Sequence, residues 1–465
     1  MFNNKKIHFE ISERKILLKF FDLVFVFFSL YLISYFFDFH YFKFSKSNYY
    51  WNLVLAIYIY VFGSVFEMYN LQVSSSQFQI VKSIILTTST TVLVYLLTPI
   101  YTPFLPSNRL QIVLFFFAIF LSLLIWRSFY VTFLASNRFV KKSILICDKD
   151  QLEELVLGLK NADPHYKIVG YVNSEDSDSN SFISNENIIA IPLQNLKEYV
   201  INNYVSEIII ASQKTDSITV SLYNQLINLL ENGFIIKEYT QVYEAITHRI
   251  PVQYVSRDFY RYFPFSRNNQ NQFYLSFVRL TEILVSLLGM AIGVLFIPFI
   301  FIGNLIGNRG PLFYSQGRIG KNGALFKIYK YRTMIKNAEE NGAVFTSIND
   351  SRVTKFGKFL RKTRIDEFPQ FLNILKGDMG IIGPRPERPV FVNEIAEVMP
   401  FYETRHIMKP GLTGWAQVNY AYGDSINDSL VKLQYDLYYI KHRSIFLDID
   451  IIIKTFSTVL FYRGQ

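Results

Sequence analysis

Four long apolar stretches near the start of the chain constrain the fold more than any other feature of this sequence. They cover Ile16–Phe37, Tyr50–Phe66, Ile84–Tyr101 and Leu110–Trp126. Each is close to the roughly 20 residues that a helix needs to cross the hydrocarbon core of a bilayer. The alternative is a set of core helices in a soluble domain, but consecutive apolar runs of this kind are rare in soluble folds. The sequence therefore predicts four transmembrane helices within residues 1–140.

Basic residues flank this predicted bundle on both sides. Arg14 and Lys15 precede the first helix, and Arg127, Lys141 and Lys142 follow the fourth. Loops rich in lysine and arginine stay on the cytoplasmic side of a membrane. The pattern therefore predicts that the N-terminus and everything after residue 140 face the cytoplasm. The net charge of +10 also favours anionic partners such as phosphates or a lipid surface, and no nucleic-acid motif occurs.

Residues 141–255 alternate short apolar strands with helical segments. Strands are predicted at Ser143–Asp148, Tyr166–Val172 and Glu207–Ser212, with helices between them. Strictly alternating strands and helices favour a parallel sheet covered by helices. We expect a Rossmann-like α/β cytoplasmic domain. The first strand runs into Cys147-Asp148-Lys149-Asp150-Gln151 without a glycine, so the dinucleotide fingerprint is missing and NAD binding is not expected.

A fifth apolar stretch, Leu275–Ile306, has basic residues on both sides, among them Arg267 before it and Arg309 after it. Both ends therefore favour the same side of the membrane. Pro298 inside the stretch removes a helix hydrogen bond and bends the axis. These features predict a re-entrant helix over residues 275–306, with its break at Pro298. Gly289 and Gly293 would allow close helix contact.

A carboxylate pair, Asp366-Glu367, directly follows a segment in which cations far outnumber acids. Nearby cations keep a carboxylate ionised and neutralise a phosphate that approaches it. An ionised aspartate can then attack phosphorus, and a second carboxylate can hold Mg²⁺. The alternative is a solvated helix start, capped by Thr363 with acids in its first turn. Spacing alone does not decide between the two.

Residues 309–455 resemble the bacterial sugar transferase family, the monotopic polyprenyl-phosphate phosphoglycosyl transferases. The resemblance rests on a series of short motifs, which are Asn308-Arg309-Gly310-Pro311, Tyr329-Lys330-Tyr331-Arg332-Thr333-Met334, Asp350-Ser351-Arg352, Asp366-Glu367-Phe368-Pro369-Gln370, Gly383-Pro384-Arg385-Pro386, Lys409-Pro410-Gly411-Leu412-Thr413-Gly414 and Tyr435-Asp436-Leu437-Tyr438-Tyr439. The four N-terminal helices and the Rossmann-like domain look like the long-form members of this family, which start exopolysaccharide, capsule or O-antigen (lipopolysaccharide) synthesis.

The resemblance implies an α-rich catalytic domain over residues 268–465, which begins with the re-entrant helix, in a protein of the bacterial inner membrane. It also implies a role for particular residues. Asp366 would attack the β-phosphate of a UDP-sugar, expelling UMP, and Glu367 would bind Mg²⁺. Polyprenyl phosphate would then take the phospho-sugar from Asp366, and Asp436 would lie in the same active site. The residues expected to bind substrate phosphates are Lys330, Arg332, Arg361 and Arg385.

Three residues depart from the family pattern. Arg364 stands where a small hydroxyl residue is common, Ile297 precedes Pro298 where serine is frequent, and His248 replaces a usual glycine. None of them is part of the carboxylate pair. The expected partners are a UDP-sugar, with glucose and galactose the first candidates, polyprenyl phosphate, the bilayer, a second copy of the chain and downstream glycosyltransferases.

A rival function fits residues 1–250 alone. A membrane channel or sensor, gated by a Rossmann-like ligand domain, would have the same helices and the same sheet. It would leave the motifs of the second half without a purpose. The enzyme is therefore the favoured prediction, and the channel or sensor is the alternative.

Overall fold

The computed structural model describes residues 11–37, 39, 41–42, 49–69, 77–134, 141–160, 166–173, 188–211, 219–252, 266–336, 338, 350–399, 401–420 and 425–460. The chain divides into two compact units, 1–247 and 248–465. The first unit contains the N-terminal helices and a parallel sheet. The second contains the carboxylate pair and the motifs around it.

Four apolar helices are present in the first unit, as predicted. They are α1 (Ile11–Phe36), α2 (Tyr49–Val65), α3 (Gln77–Leu97) and α4 (Leu110–Phe129). The segments Glu13–Phe36, Ile80–Leu97 and Leu110–Thr132 are long and apolar enough to cross a membrane, and α2 is a shorter apolar helix. Thr87, Thr88 and Thr91, which weaken the apolar pattern of α3, are fully buried. Their hydroxyls therefore do not lie on the outer surface of this unit.

A buried ion pair joins α1 to α4. Arg127 donates hydrogen bonds of 3.0 and 2.6 Å to the two carboxylate oxygens of Asp22, and both side chains are fully buried. The Arg127 guanidinium also lies 5.4 Å from the centre of the Tyr69 ring. A charge among apolar helices is tolerated when it is paired in this way. The pair ties α1 to α4, so Arg127 is not a flanking cation. The predicted orientation rests on the other flanking cations, which are Arg14, Lys15, Lys141 and Lys142.

The parallel sheet predicted for the first unit is also present. Its strands are β1 (Lys141–Cys147), β2 (Tyr166–Asn173), β3 (Ile189–Ala190), β4 (Glu207–Ile210) and β5 (Ile235–Glu238), and their order is β3-β2-β1-β4-β5. Every pairing in this sheet is parallel. The connecting helices are α5 (Leu152–Lys160), α6 (Leu196–Asn202), α7 (Val220–Glu231) and α8 (Tyr239–Thr247). Doubly wound sheets share this strand order.

The second unit is rich in helices. Its long helix is α9 (Gln272–Gly307), followed by the hairpin β6 (Phe313–Ile319) and β7 (Leu325–Tyr331). The short strands β8 (Gly380–Ile382) and β9 (Gly411–Thr413) pair in parallel. The remaining helices are α10 (Lys355–Lys362), α11 (Gln370–Lys376), α12 (Pro389–Val398), α13 (Trp415–Asn419), α14 (Ile426–His442) and α15 (Ile445–Leu460).

Helix α9 continues through Pro298 and is the fourth segment long and apolar enough to cross a membrane. Two of its four glycines, Gly289 and Gly293, lie close to aromatic rings that belong to the segment after the carboxylate pair. A Cβ at Gly289 would lie 2.5 Å from the Phe371 ring, and one at Gly293 would lie 3.4 Å from the Phe368 ring. The glycines therefore allow the segment that carries the carboxylate pair to pack directly on the long helix. The re-entrant path stays a prediction.

The second unit includes a short segment well before α9. The Ile250 amide donates to the Gln434 carbonyl, at 3.1 Å, and Ile250 and Val252 are buried in the same core as α14. The Trp415 indole donates to the His248 carbonyl, also at 3.1 Å. Residues 248–252 therefore pack as part of this unit, although the predicted catalytic domain begins at 268.

Candidate active site

The carboxylate pair lies in a tight turn between α10 and α11. Asp366 and Glu367 belong to a 3-10 turn, Ile365–Glu367, and Arg364 before it has a left-handed backbone with φ of 58°. The Thr363 hydroxyl donates back to the carbonyls of α10 and so does not cap a following helix. Asp366 is only 6% exposed. The burial of Asp366 rules out the alternative of a solvated helix start.

Three cations surround the carboxylate of Glu367. Its Oε1 lies 3.3 Å from Lys330 Nζ, 3.5 Å from an Arg364 nitrogen and 3.8 Å from an Arg385 nitrogen. Burial alone would raise the pKa of Glu367, but Lys330, Arg364 and Arg385 outweigh it and hold the pKa well below the usual range. Glu367 is therefore ionised near neutral pH. The same field would attract the phosphates of a substrate.

Asp366 is in a different state from its neighbour. Burial, reinforced by the charge of Glu367, raises the pKa of Asp366 to about 6, although Lys330, Arg361 and Arg364 oppose the rise. Its Oδ1 is buried, and no group in the described part of the chain donates a hydrogen bond to it. A carboxylate oxygen without donors keeps its lone pairs for an incoming atom. Asp366 is thus the better placed of the two acids to act as a nucleophile.

The predicted phosphate-binding cations only partly come together. Lys330 and Arg385 meet at Glu367, and Arg361 on the last turn of α10 donates to the Thr333 hydroxyl at 2.9 Å while acting on Asp366 through its charge. Arg332 differs, because its Nε donates to the Pro311 carbonyl at 2.9 Å and its guanidinium lies over the Tyr314 ring. The structure therefore does not bring Arg332 to the carboxylate pair.

Arg385 is placed by a loop held between two strands. The Gly383 amide donates to the Thr413 carbonyl, and the Gly411 amide donates to the Pro384 carbonyl, both at 2.9 Å. A Cβ at Gly383 would lie 2.3 Å from the Lys409 carbonyl oxygen, so only glycine permits this backbone approach. The segments around residues 383 and 411, which are far apart in the sequence, are therefore joined by backbone hydrogen bonds next to Arg385.

Asp436 lies in this part of the unit but is not open to a ligand. It is 2% exposed and forms an ion pair with Arg405, with 2.7 Å between Oδ2 and Nη2. Burial raises its pKa to about 6, against the lowering effect of Arg405. Sequence reasoning placed Asp436 in the site and missed Arg405. Arg405 lies four residues before the motif that begins at Lys409, and this proximity was the only feature of the sequence that could have linked Arg405 to the site.

Arg364 was also missed, since the sequence marked it only as a departure from the family pattern. Its left-handed backbone starts the turn, and its side chain pairs with Glu367. An arginine at this position therefore adds a cation to the site where a hydroxyl residue would not.

The oxygen atoms available to bind Mg²⁺ in this site are those of its carboxylates. In the described part of the chain, no three His, Cys, Asp or Glu side chains cluster so as to hold a metal ion. Mg²⁺ at phosphate-transfer sites is usually held by one or two carboxylates together with substrate phosphates. Glu367, which is ionised and adjacent to Asp366, provides a carboxylate of that kind. Glu367 therefore fits Mg²⁺ in company with a phosphate substrate.

The buried carboxylate pair lies within a ring of cations, in the unit that contains the long apolar helix α9. These features suit phosphoryl-transfer chemistry. Residues 273–462 match the family described as bacterial sugar transferase. An uncharacterized sugar transferase of Bacillus subtilis (strain 168), EpsL, is 38% identical over 158 residues, which are 33% of this chain and 72% of that protein. The chain belongs to the bacterial sugar transferase family.

Two longer relatives have more specific names. The UDP-N-acetylgalactosamine-undecaprenyl-phosphate N-acetylgalactosaminephosphotransferase of Aeromonas hydrophila is 50% identical over 151 residues, 32% of this chain and 36% of that protein. The UDP-glucose:undecaprenyl-phosphate glucose-1-phosphate transferase of Escherichia coli (strain K12) is 40% identical over 154 residues, 32% of this chain and 33% of that protein. The chain thus matches about a third of the length of each of these two relatives.

Proposed function

We propose that this protein transfers a sugar 1-phosphate from a UDP-sugar to undecaprenyl or another polyprenyl phosphate, releasing UMP. The observation that carries the proposal is the contrast within the carboxylate pair. Asp366 has an oxygen without a donor, while Glu367 is fixed among Lys330, Arg364 and Arg385. Such a site can receive a diphosphate and attack it from a carboxylate. The family match lies in the same unit and favours the enzyme over the channel or sensor.

The reaction divides into two displacements at one phosphorus atom. In the first, an Asp366 carboxylate oxygen attacks the β-phosphorus of the UDP-sugar, the bond from that phosphorus to the bridging oxygen breaks, and UMP leaves with the electron pair. In the second, a phosphate oxygen of the polyprenyl carrier attacks the same phosphorus. The bond to Asp366 then breaks, which restores the free carboxylate and gives a polyprenyl-diphospho-sugar.

Side chains of the site would assist both displacements. Lys330, Arg361 and Arg385 would hold phosphate oxygens and offset the negative charge that opposes attack by a carboxylate. Glu367 would hold Mg²⁺, which supplies further neutralisation of phosphate charge when bound. Arg332 is not assigned to this group, because it is bonded to Pro311.

The sugar is part of the proposal and has two leading candidates. The relative with 50% identity is named for N-acetylgalactosamine, and the one with 40% identity is named for glucose. We place UDP-N-acetylgalactosamine first and UDP-glucose and UDP-galactose next. The lipid-linked product would be the acceptor for downstream glycosyltransferases that build an exopolysaccharide, a capsule or an O-antigen.

The activity test uses the full chain purified in detergent. UDP-sugars are supplied one at a time with undecaprenyl phosphate and Mg²⁺, and nucleotide products are separated by chromatography. Release of UMP with a lipid-linked sugar phosphate supports the proposal. Release of UDP would mean that the bond between the sugar and its phosphate breaks instead, and it would overturn the proposal. Ligand-dependent ion flux without UMP would favour the channel.

The membrane arrangement is a separate part of the proposal. A re-entrant α9 would place both of its ends, and Asp366, on the cytoplasmic side of the inner membrane, where UDP-sugars are made. Exposed apolar side chains on α9 and α15, such as Phe273, Leu295 and Phe446, suit contact with lipid. Pro298 supports the bend, since it removes one helix hydrogen bond inside α9.

Labelling of single cysteines tests this arrangement. Cys147 is the one cysteine of the chain and is replaced by serine, and cysteines are then placed at the exposed positions Asn271 and Arg309, at the two ends of α9. Intact cells are treated with a reagent that cannot cross the inner membrane. Protection at both positions supports a re-entrant helix. Labelling at position 309 alone would show that α9 spans the membrane.

A further inference from the structure

A buried ion pair lies behind the loop that carries Arg385. Arg405 belongs to the 3-10 turn Tyr402–Ile407 and is 4% exposed, and Asp436 on α14 is 2% exposed. Their nearest charged atoms are 2.7 Å apart. Burial of this degree excludes direct contact between either side chain and a substrate. Any effect of the pair on the reaction must therefore pass through a neighbour.

Arg405 contacts that neighbour directly. The same Nη2 atom that faces Asp436 donates a hydrogen bond of 3.0 Å to the Arg385 backbone carbonyl, and Nη1 donates one of 2.6 Å to the Tyr402 hydroxyl. The Arg385 side chain leaves the same residue and reaches to 3.8 Å from Glu367 Oε1. One line of contacts thus runs from Asp436 through Arg405 and Arg385 to the carboxylate pair.

An arginine can make these three contacts at once, whereas a lysine is less suited to them. A guanidinium presents several donors in a fixed plane, so it can bond a carboxylate, a carbonyl and a hydroxyl at once. A second arginine, Arg318, donates to the neighbouring Pro386 carbonyl at 3.1 Å. The backbone carbonyls of residues 385 and 386 are therefore each held by an arginine side chain.

We propose that Arg405, held by Asp436, is a positioning residue that fixes the backbone of Arg385 and so directs its guanidinium at the substrate diphosphate. This inference rests on the proposed function for the identity of that substrate. It gives Asp436 a role without contact to substrate, in place of the direct part in the active site that the sequence predicts.

The test must separate positioning from folding. Removing one partner leaves a buried charge unpaired and is strongly destabilising, whereas replacing both with apolar residues often preserves the fold. The variant of choice is therefore Arg405→Met combined with Asp436→Leu. Its thermal unfolding is compared with wild type, and Asp448→Asn serves as the control. Asp448 accepts a hydrogen bond of 2.6 Å from the Tyr439 hydroxyl, in a buried network of the same unit that does not touch Arg385.

The expected result is a fall in kcat/KM for the UDP-sugar of about tenfold to a hundredfold in the double variant, from the loss of a hydrogen-bonded arginine. Arg385→Ala should show a fall of similar size. When Arg385→Ala is combined with the double variant, the further fall should stay below about twofold, because residues acting through one another are not additive. Asp448→Asn should leave kcat/KM within about twofold of wild type.

A binding measurement makes the inference independent of turnover. Inorganic pyrophosphate is titrated calorimetrically into the full-length protein and the same variants, and the dissociation constants should follow the same non-additive pattern. Additive losses, or wild-type kcat/KM in a folded double variant, would overturn the inference while leaving UMP release intact. Absence of UMP release with non-additive pyrophosphate binding would overturn the proposed function alone. If wild type bound no pyrophosphate and released no UMP, both would fall.

Discussion

The environment of Asp366 determines how kcat/KM falls at acid pH, which we call the acid limb of its pH profile. The carboxyl must be ionised to attack phosphorus, and its pKa is raised to about 6. The ionised fraction should therefore fall from about nine-tenths at pH 7 to about one-tenth at pH 5. We expect kcat/KM to fall about tenfold over this interval. Glu367 contributes nothing to this limb, because its pKa lies well below the usual range.

The limb can be moved by changing one neighbouring charge. Lys330 lowers the pKa of Asp366, so Lys330→Met should move the midpoint of the limb upward by about one pH unit. This variant will also lower the rate, so the position of the midpoint is the diagnostic quantity. Lys362→Met removes the same charge from an exposed position on α10 and is the matched control. Its midpoint should equal that of wild type.

The assay is UMP release at subsaturating UDP-sugar between pH 5 and pH 8, with unfolding monitored at each pH. Under these conditions the profile reports the free enzyme. A flat rate between pH 7 and pH 5 would refute the assignment of Asp366 as the ionised nucleophile. A downward shift of the midpoint in Lys330→Met would refute the described electrostatics of the pair.

Two further predictions concern the second unit. Asn373 is fully buried and links α11 to β7 through hydrogen bonds of 3.1 Å with the Tyr329 amide and 2.7 Å with the Lys327 carbonyl. In chemical denaturation, Asn373→Leu should therefore lower the free energy of unfolding by about 3 kcal/mol. The control Asn427→Leu, at an exposed position, should lower it by less than about 0.5 kcal/mol. A fragment starting at 248 should release UMP and unfold at a higher temperature than one starting at 268, because Ile250 and Val252 belong to the core of this unit. Equal unfolding temperatures for the two fragments would show that this segment is dispensable.

Much of the fold could be predicted from the sequence because its signals are local. The apolar stretches and the alternation of strands and helices each depend on neighbouring residues, and both led to elements that the structure contains. The burial of Arg127 could not be predicted from neighbouring residues. Its partner Asp22 is 105 positions away, and an arginine at the end of an apolar stretch resembles an ordinary flanking cation.

In the candidate site too, features that depend on neighbouring residues were predictable, and contacts between distant residues were not. Asp366 and Glu367 are adjacent, and the family motif pointed to them directly. Arg332 was predicted to bind phosphate only because it belongs to the same family motif as Lys330. In the structure, β7 ends at Tyr331, and the Arg332 side chain donates to the Pro311 carbonyl instead of facing the carboxylate pair. Arg405 was missed because its connection to Arg385 spans 20 residues and passes through a backbone carbonyl, which leaves no pattern in the sequence.

The most direct test of the central claim is the mass of the intact protein after incubation with its UDP-sugar in the absence of polyprenyl phosphate. We predict a gain equal to one sugar phosphate, located on Asp366 by peptide mapping, together with release of about one UMP per protein molecule. Polyprenyl phosphate added afterwards should remove the adduct, and Asp366→Asn should form neither adduct nor UMP. An Asp366→Asn protein that is folded and turns over at the wild-type rate would contradict the account.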